Sequence, residues 1–244
     1  MNSRATTFLA VAFLCLAPAM SRAQLAPYTQ DFESLVQADP AALGNDGWLV
    51  FGNVFDATHT NYLYGYGPFP APNPGGGFSA LVVGQGGAGQ GAQQLSIYSD
   101  YNNGDHANGN QIESNVYREQ TIGAGDVGHT VQFRFDAKHG DWSGVSTTTA
   151  AFLKTLNPAA GYATTNFVTI DMTSVPQTWN TYSVGLLIDP SLVGQLLQFG
   201  FMNTATSYQP SGMFYDNIQF SPDAPTPARS ESWGRIKTLY RGSR

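Results

Sequence analysis

The sequence predicts an all-β protein, built as a two-sheet antiparallel β-sandwich of the jelly-roll kind. Three observations support this prediction. Short apolar runs alternate with turn residues from Gln24 onward, which is typical of all-β chains. The chain holds 27 Gly and 14 Pro, and 11% of its residues are charged, where globular chains average ~25%. In the stretch VQFRFDA, residues 131–137, apolar and polar residues alternate strictly, as on a half-buried strand.

Residues 1–23 are typical of a signal peptide. Arg4 supplies the positive start, TFLAVAFLCLAPA is the apolar segment, and SRA before Gln24 fits a cleavage site near Ala23. The single cysteine, Cys15, lies inside this segment. We therefore expect an exported, extracellular protein whose mature chain has no disulfide, no cysteine zinc site and no thiolate chemistry.

One domain is predicted over residues 24–221, and its strands follow in chain order. They are YTQDFESL, GWLVFGNVF, FSALVV, QLSIYS, SNVYREQTI, HTVQFRFDAKH, TAAFLKTL, NFVTIDM, TYSVGLLI, QLLQFGFMN and MFYDNIQF. Two segments rich in Gly and Asn, YLYGYGPFPAPNPGGG and SDYNNGDHANGNQ, are predicted to be loops, and DPSLVGQLL one short helical turn. Six aromatic residues are expected to fill the core: Trp48, Trp179, Phe133, Phe135, Phe199 and Phe201.

Charge is distributed unevenly along the chain. From Gln24 to Pro227 there are four basic and sixteen acidic residues, and four minus sixteen gives a balance of −12. Such an acidic domain repels phosphate backbones, so the sequence argues against nucleic acid as a partner. An acidic surface with many amide side chains is compatible with calcium, which prefers oxygen ligands.

The C-terminal segment is predicted to lie apart from the domain. Residues 222–230 are a linker containing Pro, and residues 231–244 form a basic tail. Trp233, Ile236 and Tyr240 fall on one face of a short amphipathic helix. Three interpretations remain open for this tail: a tag for export or surface sorting, a clip onto an anionic membrane or acidic domain, or a disordered end.

The last predicted strand, MFYDNIQF, holds an acid at its centre. Asp216 stands between Tyr215 and Asn217, although Asp is depleted in strands. A buried carboxylate must be hydrogen-bonded, paired or bound to a metal. Either a second acid and a hard cation meet Asp216, or the carboxylate only hydrogen-bonds to local backbone.

Several segments in this order resemble a known family. The segments TQDFESL, DGW, GGGFSALVV, HTVQFRFDAK, VPQTWNTYSV, LQFGF and MFYDNIQF are similar to secreted bacterial carbohydrate-binding modules of families 4, 9 and 22, over roughly residues 28–221. The resemblance implies a galactose-binding-like jelly roll and non-catalytic glycan binding.

The resemblance also implies a structural calcium ion. In such modules an acid of the opening strand meets an acid of the closing strand, here Glu33 and Asp216. Backbone carbonyls near Asp31 and Gly77 would complete the ligand shell. One departure reduces the expected affinity, because PNPGGGFS offers no acid where related sites often have one.

Aromatic and polar residues together indicate a sugar-binding surface. Sugar rings stack on aromatic planes, and their hydroxyls need polar partners. The predicted binding surface is the polar side of the HTVQFRFDAKH strand with aromatic residues at its rim: Arg134, Asp136, Lys138, Tyr98, Tyr101 and Trp142.

Two other functions remain open. The low charge and the loops rich in Gly and Asn also suit a surface-assembly protein without a sugar ligand. A small jelly-roll enzyme that degrades polysaccharides would need a catalytic pair. Glu113 and Glu119 are distinguished by nothing in the sequence, and no HExxH or GxSxG pattern occurs. We therefore predict no catalytic residues.

Overall fold

The computed structural model describes residues 24–72, 77–142, 146–206 and 208–222. The predicted signal peptide and tail lie outside the described residues, as does the linker apart from Pro222. Within the described ranges no helix is long and apolar enough to span a membrane. The strands are β1 (Tyr28–Gln30), β2 (Leu49–Phe55), β3 (Tyr62–Pro70), β4 (Ser79–Val83), β5 (Gln93–Ile97), β6 (Gln111–Thr121), β7 (Thr130–Trp142), β8 (Thr148–Asn157), β9 (Ala163–Asp171), β10 (Asn180–Leu187), β11 (Leu196–Thr206) and β12 (Ser211–Pro222).

The strands form two antiparallel sheets that pack as a sandwich, which confirms the predicted fold class. Sheet A has the order β10-β7-β12-β5-β4, and β1 also pairs with β12. Sheet B has the order β3-β2-β6-β11-β8-β9. The helical segments lie in the connections between strands: α1 (Ala42–Asn45) and the 3₁₀ turns Gly104–Asn108, Ala124–Asp126, Pro158–Ala160 and Pro190–Leu192. The last of these is the turn predicted in DPSLVGQLL.

All eleven predicted strands are present, and the structure adds one that the sequence analysis missed. The segment YLYGYGPFP was predicted to be a loop, but it is β3, the edge strand next to β2. Tyr and Phe favour a strand, and an edge strand tolerates Pro and Gly because one side needs no ladder partner. The ring of Tyr66 lies over Gly52 of β2, where a side chain would approach Tyr66 Oη to 2.6 Å.

Aromatic rings from both sheets form the core between them. Phe201 of β11 stacks on Tyr215 of β12 with ring centroids 3.7 Å apart, and Phe199 stacks on Phe220 at 4.1 Å. Burial of each such ring stabilises the fold by roughly 1.5–3 kcal/mol. Five of the six predicted core aromatic residues are fully buried: Trp48, Phe133, Phe135, Phe199 and Phe201.

Gly200, on the outward side of sheet B, has no room for a side chain. A Cβ at Gly200 would collide with the Val116 carbonyl oxygen and lie 2.6 Å from Tyr117 Cα, so backbone would have to move. We expect Gly200→Ala to destabilise the protein by about 1–3 kcal/mol, or about 3–10 °C in Tm. The matched control is Gly185→Ala on exposed β10, where the nearest atom to a Cβ lies 3.4 Å away. Equal melting temperatures for the two variants would contradict this account.

Candidate functional site

Strand β12 changes its pairing partner at Asp216. Up to Tyr215 its free side pairs with β5, and from Ile218 it pairs with β1. Between these positions the register against β7 also shifts, and Asn217 has a positive φ of 49°. The Asp216 side chain therefore lies in the gap between the start of β5 and the end of β1.

The Asp216 carboxylate is buried and incompletely satisfied. Its Oδ1 accepts the backbone N–H of Asn217 at 2.6 Å, while its buried Oδ2 has no hydrogen-bond partner within the described ranges. The pKa of Asp216 is raised to about 7, chiefly by burial and also by the negative charges of Glu33 and Asp136, while the hydrogen bond from Asn217 acts in the opposite direction. The carboxyl is thus poised to hold either a proton or a cation.

Glu33 is the second acid at this junction. Its Oε1 accepts the backbone N–H groups of Ala92 and Gln93, at 2.8 and 2.7 Å, and so joins the turn after β1 to the start of β5. The predicted juxtaposition of the first and last strands is confirmed, since β1 and β12 pair antiparallel. The two acids are close enough for the charge of Glu33 to act on the pKa of Asp216.

The segment between β4 and β5, residues 84–92, covers this junction. The Asn217 side chain donates to the Gly89 carbonyl oxygen at 2.9 Å and to Asp136 at 2.8 Å. The Gln94 side chain donates to the Gln90 and Gly91 carbonyl oxygens. The 84–92 segment therefore places several backbone carbonyl groups beside the acids.

The other two predicted cation ligands lie differently. Asp31 accepts the Glu33 N–H at 3.2 Å, and it lines an adjacent polar groove of about 260 Å³ together with Asn217. Gly77 is not brought to the acids, because it lies against Asp100, whose Cγ would be 3.0 Å from a Cβ at Gly77. Asn73, where related sites have an acid, lies outside the described residues.

The oxygen donors at the junction are compatible with a hard cation that would bind with modest affinity. No cluster of three or more His, Cys, Asp or Glu is placed to hold a metal among residues 24–72, 77–142, 146–206 and 208–222. Two carboxylates, Glu33 and Asp216, remain with neighbouring carbonyl oxygens and solvent. Oxygen ligands of this kind suit calcium, and the buried Oδ2 of Asp216 has no hydrogen-bond partner within the described residues.

The polar side of β7 faces outward from sheet A, as predicted. Arg134 is exposed, whereas Asp136 is held by protein groups. Its Oδ1 accepts the Thr181 hydroxyl at 2.6 Å, and its Oδ2 accepts the Gln90 amide at 3.0 Å in addition to that of Asn217. Burial alone would raise the pKa of Asp136, but these hydrogen bonds lower it. The Asp136 carboxylate is therefore occupied by hydrogen bonds from within the protein.

The predicted aromatic rim does not join these β7 residues. Tyr98 and Tyr101 stack on one another with centroids 5.6 Å apart, and the Tyr101 hydroxyl lies 2.7 Å from Ser211 Oγ. Trp142 is partly buried against the core and contacts His139. A β-bulge opposite Ser211 and Met213 reverses the alternation before Trp142, which turns its ring toward the core.

Trp179 corrects the predicted core. It is only half-buried, and its Nε1 donates to the Gln85 carbonyl oxygen at 3.0 Å. Lys138 places its Nζ 5.4 Å from the Trp179 ring centroid and 5.4 Å from that of Phe214. Trp179 thus helps the 84–92 segment to cover the outward side of sheet A.

The outward side of sheet B carries a second set of polar and aromatic residues. We call this surface the sheet B face. Four of its members point away from the core and are nevertheless almost fully buried: Asn115, Tyr117, Phe152 and Thr204, each at most 3% exposed. The outward side of sheet B therefore carries aromatic and polar side chains that other groups of the protein cover. Its residues are Glu113, Asn115, Tyr117 and Glu119 on β6, Gln198, Met202 and Thr204 on β11, Phe152 and Lys154 on β8, and Phe167 on β9.

Gly200 forms the floor of the sheet B face. It pairs with Tyr117 on one side and with Phe152 on the other, so two rings flank a position that has no side chain. Tyr117 contributes a buried ring, and burial raises the pKa of its hydroxyl, with Glu119 acting in the same direction. The result is an apolar centre between polar margins.

Amide groups line one margin of the sheet B face. Glu113 Oε1 accepts the amides of Asn53 at 2.7 Å and Asn115 at 3.1 Å, and Gln198 donates to Glu119 Oε2 at 2.8 Å. The buried Asn115 Oδ1 has no partner within the described part of the chain. An unpaired buried acceptor destabilises the free protein and is ready for a donor from a ligand.

Sequence reasoning missed this face for an identifiable reason. Tyr117 and Phe152 interrupt the expected polar side of β6 and β8, because apolar residues occupy both sides of these strands. That pattern indicates a strand buried on both sides. This pattern distinguishes β6 and β8 from the strictly alternating β7 in the sequence itself.

Comparison with known proteins gives matches to solved structures only. No protein-family model and no curated protein matches the chain. A cyclase from Fischerella matches with a TM-score of 0.47 and 12% identity, covering 82% of this chain and 98% of the cyclase. The C-terminal family 22 carbohydrate-binding module of Clostridium thermocellum Xyn10B gives 0.41 and 14%, covering 81% and 94%.

A bacteriophage CBA120 tailspike domain described as enzymatically active also matches, with a TM-score of 0.43 and 12% identity. The match covers 78% of this chain, and this chain spans about a fifth (21%) of the tailspike chain. All three TM-scores are below 0.5, so any functional assignment depends on the residues of this chain.

Asp216 generates a prediction for the dependence of stability on pH. Its pKa is 3.8 when unperturbed and about 7 in the fold, so the native state keeps a proton that the unfolded state loses. The contribution of Asp216 to stability therefore falls as pH rises from about 4 to about 7 in chelator-containing buffer. We expect Asp216→Asn to remove this contribution, making the Tm loss from about pH 5 to pH 8 smaller by on the order of 5 °C.

The control for this measurement is Asp171→Asn. Asp171 is an exposed acid that hydrogen-bonds to Thr173, and its pKa is lowered by those bonds, so it does not titrate in this range. A thermal melt of Asp216→Asn with the same pH slope as the parent protein would contradict the assignment.

Proposed function

We propose that this protein is an exported, non-catalytic glycan-binding module whose ligand lies along the sheet B face. The observation that supports the proposal most strongly is the unpartnered Oδ1 of buried Asn115, next to buried Tyr117 on the outward side of a sheet. A hydroxyl group can satisfy this oxygen, while the aromatic rings accept the C–H faces of a sugar.

The arrangement of the sheet B face suits an extended ligand. Amides and carboxylates on β6 and β11 accept or donate hydrogen bonds, and Phe167 on β9 supplies exposed apolar surface. Phe167 is 47% exposed and packs against Phe152 with ring centroids 5.8 Å apart. A sugar chain crossing the strands would meet polar groups first and rings second.

A structural calcium ion at Glu33 and Asp216 is part of the proposal. These residues would hold it together with carbonyl oxygens of the 84–92 segment. The ion supplies positive charge that neutralises two facing carboxylates. It would stabilise the junction where β1 and β5 meet β12, on sheet A and away from the ligand.

Surface assembly without a sugar ligand is a second candidate function. The outer edge of sheet B is β3, an uncharged strand of nine residues, with Tyr62 56% and Leu63 49% exposed. Long uncharged edges can pair with another chain. Sedimentation at increasing concentration distinguishes the two: large regular assemblies without polysaccharide retention would favour assembly.

Glycan binding is tested on two exposed or half-buried members of the sheet B face. Phe167→Ala removes a stacking ring, and Glu119→Gln removes a charged acceptor. We expect each to weaken retention on a bound polysaccharide by about five-fold to fifty-fold, which corresponds to about 1–2.3 kcal/mol. Affinity electrophoresis against plant and algal polysaccharides provides the measurement, and assays for new reducing ends check the non-catalytic part of the proposal.

Leu187→Ala is the matched control for Phe167→Ala. Leu187 is 58% exposed and lies on β10 of sheet A, so its loss changes a similar exposed apolar surface away from the ligand. Retention that falls equally in Phe167→Ala and Leu187→Ala would overturn the proposed location. The absence of retention across the whole panel would overturn the proposed function.

Calcium is tested separately by thermal melting at about pH 8. Millimolar calcium is expected to raise Tm by several degrees relative to EDTA, because a ligand at about 100 times its Kd adds about 2.7 kcal/mol. Asp216→Asn should lose the response, and Asp171→Asn should keep it. Identical melting temperatures in calcium and in EDTA would show that the carboxylates meet without a bound ion.

A further inference from the structure

Lys154 occupies an unusual position on the sheet B face. Its Nζ lies 5.0 Å from the ring centroid of Phe152 and 5.1 Å from that of Phe167, so aromatic surface flanks it on two sides. Burial lowers the pKa of Lys154, while the charge of Glu113 acts in the opposite direction. The ammonium group has therefore lost much of its water without gaining a close partner.

Lys154 has no ion-pair partner within the described residues, although the domain is acidic. Within the described residues the one ion pair joins Arg118 to Asp46, at 3.6 Å. Lys154 forms none there, although acidic residues outnumber basic ones by four to one between Gln24 and Pro227. A partly desolvated cation costs free energy, and the two ring contacts offset only part of that cost.

The cross-strand neighbours of Lys154 on the sheet B face are uncharged. Its cross-strand neighbours on the sheet B face are Gln198 on β11 and Phe167 on β9, an amide and a ring. Glu119 lies one strand further, paired with Gln198. The positive charge thus stands at the β8 side of the face and the acids stand at the β6 side.

We propose that Lys154 selects a glycan with an anionic sugar, whose carboxylate or sulfate forms a charge-assisted hydrogen bond with Nζ. This inference rests on the proposed glycan-binding function and names the class of ligand. The exposed ring of Phe167 stacks against the same sugar residue. Glu113 and Glu119 accept hydroxyl groups of neighbouring residues and repel negative charge, so the anionic sugar is directed to the β8 side.

The acidic domain makes this selection specific. Its balance of −12 repels polyanions at long range, and this repulsion is screened by salt. A polyanion that still binds must therefore find a local positive site. Raising the ionic strength is expected to weaken binding less than it would for a basic protein.

The experiment compares polysaccharides that differ only in charge. Polygalacturonate is compared with its carboxyl-reduced form, and dextran sulfate with dextran, so the two arms distinguish carboxylate from sulfate. The full mature chain is measured by affinity electrophoresis or calorimetry with calcium present. We expect either polygalacturonate or dextran sulfate to bind about ten-fold more tightly than its own neutral counterpart.

Three variants assign the preference to Lys154. Lys154→Gln should remove the ten-fold preference, and Lys154→Arg should keep most of it. Lys138→Gln is the matched comparison, since Lys138 is also half-buried between two aromatic rings, but on sheet A. Thermal melts of each variant show whether the fold is intact, and Lys154→Arg keeps the test valid if Lys154→Gln is unstable.

The outcomes separate the two levels of the proposal. Equal binding of charged and neutral polymers that depends on Phe167 would leave glycan binding in place and overturn the role of Lys154. A preference lost in Lys138→Gln and kept in Lys154→Gln would also overturn it. Binding to none of the four polymers, and to no other polysaccharide tested, would overturn the proposed function and this inference with it.

Discussion

The arrangement of sheet A depends on one buried carboxylate at the point where β12 changes partner. At Asp216 the strand leaves β5 and meets β1, and the β7 register shifts at the same place. A backbone discontinuity leaves groups that a regular ladder would satisfy. Glu33 takes two backbone N–H groups of this gap, and the 84–92 segment takes the amide of Asn217. The first strand, the last strand and a long connection are thereby tied together, at the expense of bringing two negative charges close to each other.

This junction explains why the two outward surfaces of the sandwich differ. On sheet A the 84–92 segment must cover the junction, so Asp136 and Trp179 become partners of that segment. The hydrogen-bonding groups of this surface are largely used within the protein. Sheet B has no such discontinuity in the pairing of its long central strands β6 and β11, and its outward side holds a buried acceptor, Asn115 Oδ1, that has no partner within the described residues. The side of the sandwich that secures the first and last strands is thus separate from the side on which we propose ligand binding.

Much of the fold could be predicted from the sequence, because alternation and turn residues act locally. The eleven predicted strands follow from them, and the pairing of the first strand with the last agrees with the expectation that these two strands lie side by side. Strand β3 could not be predicted, since its Gly and Pro residues are tolerated only because it lies at an edge, which is a property of the whole sheet. The face could not be predicted either. Alternation shows that Arg134 points outward, but not that the 84–92 segment covers its neighbour Asp136.

The sheet B face also shows where binding capacity and stability conflict. Asn115 Oδ1 is buried without a partner, and Lys154 is partly desolvated without an anion, so both destabilise the free protein. A structural role would be served better by an apolar residue at either position, because well-packed apolar groups avoid both penalties. Both groups lie on the sheet B face, together with the rings of Tyr117 and Phe152. A ligand that donates a hydroxyl to one and an anion to the other would relieve both penalties at once. The two groups lower the stability of the free protein, and a bound ligand would remove this destabilisation and so strengthen binding. Their presence is therefore explained better by a ligand than by packing alone.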